Sequence, residues 1–211
     1  MRLKYWLLTA VQSGVLVAFG SLVYVMMMLL MGVEGGVWEL LTMASVMLLI
    51  LGAAGGMGTC AAAWKLNLSV ALNFGSTRKE AFWGLQCHRI VYGTVVFAIS
   101  AVLCVLAGEA RVLTQYKFVP LGIGVLLLAA TYGGMLGLLG TKVGKIAQAF
   151  LGVLTFFLLV GSAYAGVIWI IVMEEMDLPG AVWLFPAVSL LLYGLSMILE
   201  YKAVCKYNVK L

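Results

Sequence analysis

Few side chains in this sequence are of a type that does chemistry, and their spacing argues against most of the chemistry they suggest. The one histidine, His88, follows Cys87. A metal centre needs three or four convergent ligands, and no further ligand type stands close to this pair, so His88 reads as a structural residue at a membrane interface. An enzyme needs a nucleophile, a base or a metal set that converges. No such set is visible, and the chain is expected to catalyse nothing and to bind no cofactor or metal. Gly144-Lys145 suggests the end of a phosphate-binding loop, but Gly-x-x-x-x-Gly-Lys-Ser/Thr would need glycine where Leu139 stands and a hydroxyl where Ile146 stands. Any ATP used by this protein is therefore hydrolysed on another chain.

The elements that must position these residues are set by composition. Of 211 residues, 64% are hydrophobic and 10% charged, where a soluble domain carries about 25% charged residues. Apolar runs of about 20 residues, enough for a helix to cross roughly 30 Å of hydrocarbon, recur along the whole chain. They lack the alternation of a barrel strand. The fold class is all-α: a single polytopic integral membrane domain, with six transmembrane helices expected at about 6–32, 40–63, 88–107, 118–140, 147–172 and 182–200. The first run is too long for the apolar core of a signal peptide and is expected to remain. A break at Gly140-Thr141-Lys142-Val143-Gly144-Lys145 separates the fourth and fifth helices. Cys60, Cys87, Cys104 and Cys205 have no regular spacing, and none falls in an expected external loop, which argues against a disulfide framework.

Orientation follows from the basic residues, which short loops retain in the cytosol. With both termini inside, eleven of the thirteen Lys and Arg residues are cytosolic, Arg89 among them, and only Arg111 and Lys117 are external. Six of the eight acids are external; Glu80 and Glu200 stay inside. Trp6, Trp38, Trp64, Trp83 and Trp183 stand near span ends, the usual depth for an amphipathic ring. The net charge of +5 is spread over the cytosolic loops as insertion demands, so no nucleic-acid partner is expected. No titratable residue falls in the middle of an expected span. A proton-coupled mechanism thus lacks a carrier, and the interior is expected to hold no buried charge. Gly52-x-x-x-Gly56 and Gly133-x-x-x-Gly137 let helices approach closely, and packing within the chain is favoured over a dimer seam.

One cytosolic segment, 64–89, carries more design than a linker needs. Leu66, Leu68, Val70, Ala71, Leu72 and Phe74 give an apolar side interrupted by Lys65, Asn67, Ser69 and Asn73, as in a short helix at a membrane surface. Gly75 is placed to end it. Thr77 and Glu80, three apart, form a capping box. The next helix is expected to start there and to run unbroken into the third span as a lever. A plain topogenic connector is the alternative, since Arg78, Lys79 and Arg89 also serve orientation.

The stretch from Leu72 to Gly84, LNFGSTRKEAFWG, resembles the loop between the second and third helices of small bacterial permease subunits of the type-2 branch of ATP-binding-cassette exporters. The resemblance implies a coupling element over Leu66, Asn67, Val70, Asn73 and Phe74, with Gly75, Thr77, Arg78, Lys79 and Glu80 forming its turn and the base of the lever. It also implies a nucleotide-binding ATPase subunit carrying ATP and Mg, and a second permease subunit, a homodimer being expected. The location would be the inner or plasma membrane, and the cargo an amphipathic peptide or hydrophobic small molecule moved outwards. The segment Met173 to Ala181 is too short for the re-entrant pair of that family. Rival readings are a stand-alone secondary transporter or channel, and a non-transporting assembly or immunity factor.

Overall fold

The computed structural model describes residues 7–16, 19–20, 23, 26, 37–64, 68–73, 75–108 and 118–206. Among them there is no strand, as an apolar medium demands: a helix satisfies its own backbone, whereas an open sheet edge does not. In chain order the helices are α1 Leu7–Leu16, α2 Val37–Ala62, α3 Leu68–Asn73, α4 Arg78–Leu106, α5 Phe118–Gly140, α6 Lys145–Glu175 and α7 Leu184–Lys206. A 3-10 turn at Pro179–Trp183 leads into α7. Among the described residues five helices, α2 and α4 to α7, are long and apolar enough to cross a membrane. The chain is thus a multi-pass helical membrane protein. About half of the first expected span, 6–32, lies outside the described residues.

Helix α5 occupies the centre, in contact with α2, α4, α6 and α7. Its glycines explain why. A methyl group on Gly133 would meet the Met57 carbonyl oxygen at 2.6 Å and Cys60 Cβ at 2.8 Å, and one on Gly137 would meet the Trp64 ring at 2.7 Å. Both glycines of the Gly133-x-x-x-Gly137 pair therefore face α2 and its last turn. Gly52 and Gly56 on α2 face Val96 and Tyr92 of α4 in the same way. The two small-residue pairs are used inside one chain, as the preferred reading had it. The α2–α4 seam is also bonded: the Tyr92 hydroxyl donates to the Gly52 carbonyl at 2.9 Å and the Ser100 hydroxyl to the Ser45 carbonyl at 2.6 Å. Such bonds across membrane helices contribute about 0.6 kcal/mol on average.

Trp64 departs from the expected interfacial placement, being buried. The slot opened by Gly137 draws its ring into a cluster with Ala63, Leu68, Ala71, Ala81, Phe82, Leu85 and Val204. Trp83 and Trp183 are exposed. The break between α5 and α6 falls at residues 141–144. Helix α6 packs on α5 and the 3-10 turn and leaves Phe150, Val153, Phe157, Tyr164 and Ile168 exposed, as a lipid-facing helix should. The connection from α6 to α7 holds one 3-10 turn and no helical hairpin.

Gly133→Ala and Gly137→Ala are each expected to destabilise the protein by about 1–3 kcal/mol through overpacking. Gly152→Ala and Gly161→Ala, where a methyl meets nothing within 4 Å, should leave the unfolding midpoint in detergent unchanged or raised. Equal effects at all four sites would contradict the intramolecular packing role.

Candidate functional site

The local chemistry of residues 68–80 produces a defined turn. Gly75 adopts φ 75°, its amide donates to the Leu72 carbonyl at 3.0 Å, and the Ser76 amide donates to the Ala71 carbonyl at 2.9 Å. This pair of bonds is the Schellman ending of a helix, which places glycine in the left-handed region. Two residues on, the Glu80 amide donates to Thr77 Oγ1 at 3.2 Å and the Thr77 amide to Glu80 Oε2 at 2.8 Å. The expected capping box is thus present, and α4 runs from it for 29 residues without interruption.

Of the residues expected to form the coupling element, Val70, Asn73, Gly75, Thr77, Arg78, Lys79 and Glu80 are exposed at one end of the bundle. Leu66, Asn67 and Phe74 lie outside the described residues. Val70 was expected on the apolar side, but α3 turns Leu68 and Ala71 inwards and leaves Val70 outside. The inward face belongs to the Trp64 cluster, which joins the end of α2, α3, the base of α4 and the end of α7. Arg78 adds a direct tie, its guanidinium donating to the Cys205 carbonyl. Short as it is, α3 packs on the base of α4 and contributes Leu68 and Ala71 to a cluster shared with the ends of α2 and α7.

Two turns further along α4 the expectation of an uncharged interior fails. Arg89 and Glu200, taken from the sequence as loop charges, are fully buried and paired, Nη1 to Oε2 at 2.6 Å. The reason is helix length. Helix α4 starts eleven residues before Arg89 and α7 continues to Lys206, so both charges stand inside the bundle, about 16 Å and 9 Å from the nearer helix ends at 1.5 Å per residue. Gln86 bridges them: its Nε2 donates to Glu200 Oε2 at 3.0 Å, and its Oε1 accepts from Arg89 Nη1 at 3.3 Å and from the Tyr193 hydroxyl at 2.8 Å.

Glycine again makes the room. A methyl group on Gly134 would collide with Glu200 Oε1 and lie 2.8 Å from Arg89 Nη2. Glu200 Oε1 and Arg89 Nε and Nη2 are buried and have no hydrogen-bond partner among the described residues. Arg89 and Tyr193 also border a cavity of about 220 Å³ that continues along Gly93, Phe97, Ile123, Leu126 and Ala130. Sequence reasoning missed the whole cluster. Its one available signal was a charge pair of opposite sign, Arg89 and Glu200, each directly beside an apolar run.

His88 is buried, with Nδ1 3.4 Å from the Thr9 hydroxyl of α1. All four cysteines are free. No group of three or more His, Cys, Asp or Glu residues able to hold a metal ion occurs among the described residues. No family model matches this chain, and neither a curated protein nor a solved structure matches it.

Removing one partner of a buried ion pair strands the other charge, at about 3–5 kcal/mol, whereas replacing both with apolar residues is often neutral. Arg89→Met and Glu200→Met should each lower the unfolding midpoint sharply, and the double variant should recover most of the loss. A double variant as unstable as the sum of the singles would show that the two side chains act independently.

Proposed function

We propose that this chain is the membrane permease subunit of an exporter, worked from the cytosolic side by a separate ATPase subunit that docks on α3 and the base of α4. The observation that carries this reading is mechanical. A short exposed element packs on the base of α4 and shares the Trp64 cluster with the ends of α2 and α7, and α4 continues from its capping box through the bundle as one helix. A push on α3 therefore has a stiff path inwards, since packed helices shift as units.

Several features support the accompanying topology. Arg78, Lys79, Lys142, Lys202 and Lys206 stand at or near the ends of helices that meet on the α3 side, and Glu175 and Asp177 stand at the far end of α6. By the retention of basic residues this makes the α3 side cytosolic, with six spans once the first expected run is counted and both termini inside. The membrane is then the inner or plasma membrane. A second copy of the chain would complete the pathway, and two ATPase subunits would bind ATP and Mg. The cargo in this reading is an amphipathic peptide or hydrophobic small molecule.

A second reading has one observation in its favour. Ionisable residues inside a membrane bundle often line the route of an ion or substrate, and the Arg89–Glu200 pair would suit a carrier that works alone. Co-reconstitution in liposomes separates the two. The proposed subunit exports only with its ATPase present, and Gly75→Ala with Arg78→Ala should abolish export while insertion and ATP hydrolysis persist. Full transport-coupled hydrolysis in that variant, or gradient-driven transport by the isolated chain, would overturn the reading.

A further inference from the structure

The buried pair is hydrogen-bonded on one side only. Between α4 and α7 the contacts are polar and successive: Arg89 Nη1 donates to Glu200 Oε2 at 2.6 Å, Gln86 Nε2 to the same oxygen at 3.0 Å, and the Tyr193 hydroxyl to Gln86 Oε1 at 2.8 Å. Nearer the α3 end the Phe82 and Tyr201 rings meet edge to face at 5.2 Å, and Arg78 donates to the Cys205 carbonyl. Towards α5 neither charge makes a hydrogen bond. Glu200 Oε1 and Arg89 Nε and Nη2 are buried without a partner among the described residues. Gly134 of α5 covers two of these atoms, since a methyl group there would collide with Glu200 Oε1 and lie 2.8 Å from Arg89 Nη2. Sealing charged groups away with their hydrogen bonding incomplete is costly, so the contact with α5 is the weak seam of the cluster.

That seam lies at the end of a cavity. The space of about 220 Å³ between α4, α5 and α7 has Arg89 and Tyr193 at one end and Phe97 and Ile123 at the other. At the Phe97 end α4 and α5 meet through Phe97 and Phe118, whose ring centroids are 6.1 Å apart, and through Gly122, where a methyl group would stand 2.8 Å from the Phe97 ring. At the Arg89 end they meet at Gly134, one turn beyond Ala130 of the cavity wall. The cavity stops short of Gly134 and Glu200. The cluster therefore stands between it and the α3 end of the bundle.

We infer that the contact of Gly134 with Arg89 and Glu200 is a closed gate between this cavity and the α3 end, and that it opens by separation of α5 from α4 and α7 with the ion pair intact. In the open arrangement water reaches Glu200 Oε1 and the free edge of Arg89. It supplies the hydrogen bonds that are missing in the closed one, which offsets the packing lost at α5. Glycine at 134 is what permits closure, because a Cβ there holds the seam apart. The gate belongs to the chain alone and can be observed without the proposed ATPase.

Cys60 reports the opening. It is buried, stands against Gly133 of α5, and lies within electrostatic reach of Arg89 and Glu200. With Cys87, Cys104 and Cys205 replaced by alanine, Cys60 in nanodiscs should react slowly but measurably with a water-soluble, lipid-insoluble thiosulfonate. Gly134→Ala should react at least about tenfold faster, because overpacking disfavours the closed arrangement. Arg89→Met combined with Glu200→Met should react at least about tenfold more slowly, because hydration no longer favours opening while the fold is retained. The double variant decides the matter even where Gly134→Ala fails to fold. A Cys60 thiol that reacts only after unfolding, or a double variant that reacts as fast as the parent, would overturn the gate.

Discussion

A charge inside a low-dielectric bundle has to be answered by an opposite one, and this protein answers Arg89 with Glu200 at 2.6 Å. The two side chains are 111 residues apart. Bringing them together sets much of the arrangement around them: α4 must lie beside α7, Gly134 must leave space on α5, and Gln86 and Tyr193 must supply the surrounding hydrogen bonds. In lipid the hydrophobic effect does little to bring helices together, so close packing and polar contacts select the neighbours. The pair and the glycines of α5 are the two devices visible here.

The pair also links the exposed end of the bundle to its interior. Below it, the Trp64 cluster and the bond from Arg78 to the Cys205 carbonyl hold α3, the base of α4 and the end of α7 together. Above it, α4 continues along α2 with the Tyr92 and Ser100 bonds. The proposed coupling depends on this continuity. Because α4 begins at Arg78, the capping box at Thr77 and the turn at Gly75 adjoin the helix directly.

What the sequence made legible was local. The turn at Gly75 and the capping box at Thr77 and Glu80 depend on residues within five positions of one another, and both occur as read. The break after Gly140 was marked by its glycines and lysines, and the long apolar runs announced the spans. Arg89 and Glu200 were read as loop charges because hydropathy marks where an apolar run begins, not where the helix carrying it begins. Helices α4 and α7 extend beyond their apolar runs, which carries both charges into the bundle. Trp64 was misplaced for a related reason: its burial depends on Gly137, a residue 73 positions away whose facing direction no local pattern reveals.

The central claim is that α3 and the end of α7 form one block with the base of α4. Spin labels at Val70 and Lys202, both exposed, measure it directly by pulsed dipolar spectroscopy in nanodiscs. The account predicts one narrow distance distribution for that pair, retained in every condition that shifts the distance from Val70 to Ile146 on α6. A broad distribution between Val70 and Lys202, or one that changes independently of α4, would contradict it.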